Sequence, residues 1–244
     1  MSDYYYALSE GDQREVLEAA ANVLGRPPHL LEKDAWVVWT LSHLFAEDLG
    51  NHLVFKGGTS LSKAYRVIER FSEDIDLTWD IRDIIPDLIE KFGGSALPPT
   101  TSQANRWTKA VREHLPRRLE AEVVPRLQRA VEREGLSAHI LWDESEKVLL
   151  NYKQVCKSGS GYMPARVQLE FGGRATGQPY DVRDIVCDAA PYVAGVVFPT
   201  AQVKAMRPER TFWEKATAAH VYCRQGRFRG DTHIFGDTGM IWCS

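Results

Sequence analysis

Between residues 53 and 79 the chain reads Leu53-Val54-Phe55-Lys56-Gly57-Gly58-Thr59-Ser60-Leu61-Ser62-Lys63, then a short amphipathic run, then Phe71-Ser72-Glu73-Asp74-Ile75-Asp76-Leu77-Thr78-Trp79. Leu53-Val54-Phe55 predicts a short buried strand, and Gly57-Gly58-Thr59-Ser60 predicts a turn that opens a helix over Leu61 to Arg70. The first amides of a helix have no partner within it, so such a turn is a natural anion site. In the second half, Asp74, Asp76 and Thr78 alternate with Ile75, Leu77 and Trp79, the period of a strand with one buried face. The two carboxylates then project side by side, roughly 7 Å apart at the backbone. That is within reach of a pair of cations about 3.5 to 4 Å apart. Taken singly, each half also reads as ordinary structure, a common glycine turn and a solvated strand edge. Together they form what phosphoryl or nucleotidyl transfer requires, a turn that can hold phosphate facing a strand that can hold metal.

The flanking sequence supplies a frame for this stretch. Ser9 to Ala21 predicts a first helix with Ser9 as its cap, closed by Gly25 and Pro27-Pro28. Leu30 to Phe45 predicts a second, with Leu31, Trp36, Val37, Thr40, Leu41 and Leu44 burying one face. Ile81 to Phe92 reads as a short helix broken at Pro86, followed by a loop through Gly93-Gly94-Ser95 and Pro98-Pro99. Ser102 to Glu134 is a long polar helical region that Pro116 and Pro125 should kink or divide. Its arginines and lysine are interleaved with glutamates, which suits a solvated face; the sharper reading is a patch that steers an RNA backbone. Strands are expected at Ala138 to Trp142, Val148 to Tyr152 and Ala165 to Phe171, the last with Val167, Leu169 and Phe171 on one face and Arg166, Gln168 and Glu170 on the other. Pro208 to His220 predicts a helix packed by Phe212 and Trp213.

Composition narrows the class. With 244 residues, 44% hydrophobic and 26% charged, the chain can bury one good core and a smaller helical lobe. The formal net charge of −3 argues against a general basic coat, so any RNA contact must be local. Cys156, Cys187, Cys223 and Cys243 are scattered, without zinc or disulfide spacing, and reduced thiols are expected. His114, His139 and His220 show no metal spacing. With no long apolar run and no targeting segment, the expected location is the cytoplasm, with no membrane partner.

The wording KGGTSLSKAY followed by RFSEDIDL resembles the AbiEii/AbiGii toxin branch of the nucleotidyltransferase superfamily. Matching wording extends from Glu32 to Arg229 and is weak over Pro99 to Glu134. Glu32-Lys33-Asp34 also matches; a salt-bridged first turn is preferred for it over a substrate role. The resemblance implies an α/β fold of α+β type, a small mixed sheet with flanking helices and a helical lobe. The domain expectation is N-terminal helices over 1–50, a core over 51–206 with a helical insertion at about 100–135, and a C-terminal helix with a truncated tail over 207–244. In this fold a later strand beside the Asp-x-Asp strand supplies the last metal ligand, which points to Glu170. Metal ligands Asp74, Asp76 and Glu170 would share Mg²⁺ or Mn²⁺. Lys56, Gly57, Gly58, Thr59, Ser60 and Lys63 would hold the NTP, and the family's ERTFWEK lysine, here Lys215, would reach its phosphates.

The implied activity is transfer of NMP from NTP to an RNA acceptor such as tRNA by an abortive-infection toxin with a separately encoded antitoxin. The alternatives are a small-molecule, aminoglycoside-type nucleotidyltransferase and an inactive nucleotide-binding remnant. The last follows from Asp231 to Ser244, which lacks the helical continuation of the family. Read one nucleotide out of phase, codons for Gly236 to Ser244 can spell an Arg-His-Trp-His-Asp-Leu-Val-Gln run of the family type, so a frameshifted, truncated product is expected.

Overall fold

A computed structural model describes residues 3–69, 74–157 and 164–224. Phe71-Ser72-Glu73 of the central stretch, and the tail for which truncation is expected, lie outside the described residues. The helices are α1 (Glu10–Leu24), α2 (Pro28–Leu44), α3 (Leu49–His52), α4 (Gly57–Lys63), α5 (Ile81–Ile84), α6 (Pro86–Glu90), α7 (Thr101–Arg118), α8 (Val124–Arg133) and α9 (Pro208–Arg224). The strands are β1 (Asp3–Tyr4), β2 (Leu53–Lys56), β3 (Asp74–Trp79), β4 (Ala138–Trp142), β5 (Lys147–Tyr152), β6 (Arg166–Gly172), β7 (Tyr180–Val186), β8 (Val196–Val197) and β9 (Thr200–Met206). Among the described residues, seven strands form one sheet in the order β4-β5-β6-β3-β2-β9-β7. Two of its pairings, β2 with β9 and β3 with β6, are parallel. The fold is therefore α/β with a mixed sheet.

Local chemistry accounts for many of the boundaries. Ser9 caps α1 by accepting the Asp12 amide, and Gly25 closes it in the left-handed conformation at φ 65°. Pro86 ends one short helix and starts the next, as expected. The long polar region is divided later than Pro116: α7 carries that proline and runs on to Arg118. A wider π turn over Leu119–Val123 then precedes Pro125 in α8. Trp107, Val111 and Leu115 form the buried stripe of α7, while Arg117–Glu113 and Arg118–Glu122 pair along the helix.

Four expectations are corrected. The helix after the glycine turn is shorter than Leu61 to Arg70: Gly57-Gly58-Thr59-Ser60 is its first turn, and it stops at Lys63. Arg66, at φ 53°, and the β-branched Val67 and Ile68 then disfavour a helical path. Glu32-Lys33-Asp34 is not a solvated turn. Its three residues are 1%, 2% and 1% exposed, because α2 packs against β9 and β6 and is covered on all sides over Leu31–Leu41. Glu32 instead accepts the amides of Val155 and Cys156, 123 residues or more away in sequence. Phe212 and Trp213 do not pack α9 onto the core; they are exposed, and Thr211 is the buried residue there. Finally, β7 and β9 widen the sheet beyond the strands expected from sequence, although Ala201, Val203 and Ala205 are buried at alternate positions of β9.

Candidate active site

At the C-terminal end of β2 the chain turns at Gly57, whose φ is +79°, and enters α4. A Cβ at Gly57 would overlap the carboxylate of Asp76, so the missing side chain is what allows this turn to lie directly on β3. Gly58, Thr59 and Ser60 complete the first turn of α4, whose leading amides have no partner within a helix. The two hydroxyls are committed to the backbone. Thr59 donates to the Asp74 carbonyl at 2.5 Å, and Ser60 to the Gly57 carbonyl at 3.0 Å. Thr59 thereby ties the turn to β3, and Ser60 closes the turn on itself.

Strand register lines up four charges. Lys56 on β2 lies opposite Asp76 on β3, Asp76 lies opposite Glu170 on β6, and Glu170 lies opposite Lys147 on β5. Residues opposite each other in a sheet share a face, so the row runs cation, anion, anion, cation across four adjacent strands. Asp74 sits two residues along β3 from Asp76, on the same face and opposite Gln168. The alternate positions Ile75, Leu77, Val167, Leu169, Val148 and Leu150 are buried in the core beneath the row.

The electrostatics follow from this arrangement. Burial pushes the Asp76 carboxyl above its usual range; Lys56 opposes that, Glu170 adds to it, and Lys215 and Lys147 oppose it. Lys215, on α9, therefore contributes its charge at Asp76 from outside the sheet. Lys147 Nζ lies 2.5 Å from Glu170 Oε1, and Gln168 Nε2 donates to the same oxygen at 2.7 Å. The bond to Glu170 holds the Lys147 ammonium above its usual range, with partial burial opposing and Asp74 and Asp76 adding to it.

Three carboxylates on one face of adjacent strands fit a hard divalent ion such as Mg²⁺ or Mn²⁺ in donor chemistry and in strand position. The side chains themselves are not gathered: among the described residues no group of three His, Cys, Asp or Glu is drawn together as a metal cage. At Glu170 the cause is visible, since its Oε1 is held by Lys147 and Gln168.

Lys63 stands apart from the row. Its ammonium lies 2.5 Å from Asp34 and 2.8 Å from Asp188, and Asp188 also pairs with Arg26 at 2.5 Å. The Asp188 amide donates to Asp34 at 2.7 Å. Burial alone would lower the Lys63 pKa, yet the two carboxylates hold it raised. The group lines a cavity of about 300 Å³ with Arg26, Arg66 and Tyr192, and none of Asp74, Asp76 and Glu170 lines it. Lys63 is thus paired with two carboxylates at a place apart from the row that holds Asp76 and Glu170.

Sequence reasoning missed Lys147 and the Asp34–Lys63–Asp188 group. For Lys147 a signal existed: Lys147, Leu149 and Asn151 alternate with the buried Val148, Leu150 and Tyr152, which puts the lysine on the open face. Its neighbour across the strands was not visible in that pattern.

A family model described as "Nucleotidyl transferase AbiEii toxin, Type IV TA system" matches residues 39–231. None of the curated proteins is similar enough to match. A solved structure that matches is MenT4, the nucleotidyltransferase toxin Rv2826c from Mycobacterium tuberculosis H37Rv, at 16% identity and a TM-score of 0.44, over 86% of this chain and 58% of that one. The chain thus spans less than two thirds of the length of that protein.

Proposed function

From the premise that this chain belongs to the AbiEii nucleotidyl transferase toxin family of type IV toxin–antitoxin systems, we propose that it transfers NMP from NTP to an RNA acceptor, such as tRNA, with release of pyrophosphate. The observation that carries the reading is the seating of the Gly57 turn on Asp76, within an in-register row that brings Asp76 beside Glu170. That arrangement supports a phosphate cradle facing a metal-holding strand. The proposed assembly includes a cognate antitoxin and acts in the cytoplasm in an abortive-infection response; among the described residues no helix is long and apolar enough to cross a membrane.

In this reading Asp74, Asp76 and Glu170 hold the divalent cations. When bound, those cations lower the pKa of the acceptor hydroxyl and offset charge on the leaving pyrophosphate. The amides at Gly57 to Ser60 hold phosphate oxygens, with the Gly57 conformation setting their direction. Lys56 and Lys215 supply compact cations beside Asp76, where the transferred phosphate would lie.

Labelled NTPs incubated separately with total tRNA and with amino-sugars test the reaction. Labelled tRNA is the expected product; labelled amino-sugar would reassign the protein to small-molecule transfer, and nucleotide binding without either product would mark an inactive remnant. Asp76→Asn should lower tRNA labelling by about 10³-fold. Wild-type labelling by that variant would remove Asp76 from the mechanism.

A further inference from the structure

At the β5 end of the charged row, Lys147 and Glu170 are direct partners across the strands. Glu170 Oε1 receives Lys147 Nζ and Gln168 Nε2 together. A carboxylate oxygen that accepts two donors cannot also coordinate a metal ion through the same lone pairs. Glu170 therefore offers that oxygen to a metal ion only after giving up at least one of them, and coordination through its other oxygen would set the cation beside the ammonium's charge. The Lys147 side chain is 53% exposed, while the strand beneath it is anchored by the buried Val148, Leu150 and Tyr152. Its ion pair is of the weak, water-facing kind and can open at small cost. Lys63, almost fully buried between Asp34 and Asp188, cannot open in this way.

We propose that Lys147 is the resident counterion of the carboxylate face, a positioning residue that competes with the divalent cation for Glu170 and so sets the metal concentration at which the site assembles. The inference rests on the metal-dependent reading above and adds a residue to it. The ammonium and the divalent cation contend for the negative charge of the same carboxylate, whichever oxygen the metal takes. Loss of the ammonium leaves two adjacent carboxylates, Asp76 and Glu170, with a stronger demand for a cation.

Calorimetric titration of Mn²⁺ into the full chain tests this without recourse to turnover. Lys147→Met keeps the length of the side chain and removes its charge; it should bind Mn²⁺ at least about threefold more tightly than wild type. Lys147→Arg should keep wild-type affinity, and Asp76→Asn should weaken binding by about tenfold or more. Equal or weaker binding by Lys147→Met, with the Asp76→Asn effect present, overturns the counterion role and leaves the metal site standing. No Mn²⁺ binding by wild type, or no effect of Asp76→Asn, overturns the metal site and this inference with it. A purely structural role for Lys147 would leave affinity unchanged or reduced, so tighter binding separates the two.

Discussion

A methyl group on Gly57 would occupy the space of the Asp76 carboxylate, and the left-handed φ there already disfavours any side chain. Gly57→Ala should therefore cost about 2 to 4 kcal/mol, combining backbone strain with overpacking. Urea unfolding measures this, and a change under about 0.5 kcal/mol would mean that the turn is not seated on Asp76 as described. Asp76 itself is held against its solvation preference, since burial raises its pKa. A group whose folded pKa is raised contributes stability at low pH that is lost as pH rises through the folded value. Asp76→Asn, which cannot ionise, should accordingly unfold at the wild-type temperature or above it near pH 7.5, while transfer is lost. A marked fall in melting temperature would assign Asp76 a structural role instead.

Helix α2 shows the same reasoning over a longer reach. Glu32 leaves it to accept the amides of Val155 and Cys156 at 2.7 and 2.9 Å, tying α2 to the segment that follows β5. Burial raises its pKa to about 7, against the two amide bonds and the nearby Arg14 charge, which lower it. The raised value makes the folded chain bind a proton more tightly than the unfolded one. The resulting stability is complete below the ordinary value of 4.5 and is lost as pH rises through about 7. It amounts to about 3 kcal/mol. Relative to Glu32→Gln, wild type should lose roughly that much stability between pH 5 and pH 8, as read from chemical denaturation. A difference that stays flat or rises with pH would contradict the described burial of the carboxyl.

For the molecule as a whole, two lysines of the family-like wording sit in opposite surroundings, Lys63 buried between carboxylates and Lys215 half-buried on α9. Lys63 joins its own helix, α4, to α2 and to the segment after β7 through Asp34 and Asp188, which lie 29 and 125 residues from it in sequence. Lys63→Met would leave the buried Asp34 without its cation, while Asp188 keeps Arg26, and should cost about 3 kcal/mol. Lys215→Met, on the half-buried face of α9, should leave unfolding within about 1 kcal/mol of wild type and remove transfer. Paired denaturation and tRNA-labelling measurements check the contrast, and equal stability losses for both variants would refute it. The alternation around Asp74 and Asp76, the cap at Ser9, the break at Pro86 and the strands on either side of Glu170 were legible in the sequence, because each is set by backbone sterics and polarity over a few neighbouring residues. The row Lys56, Asp76, Glu170, Lys147 was not, because it exists only once β2, β3, β5 and β6 have paired in register across more than a hundred residues of chain. The burial of Lys63 and Glu32 belongs with it: a charged side chain reads locally as a surface residue, and only the arrival of distant carboxylates or amides makes its removal from water tolerable.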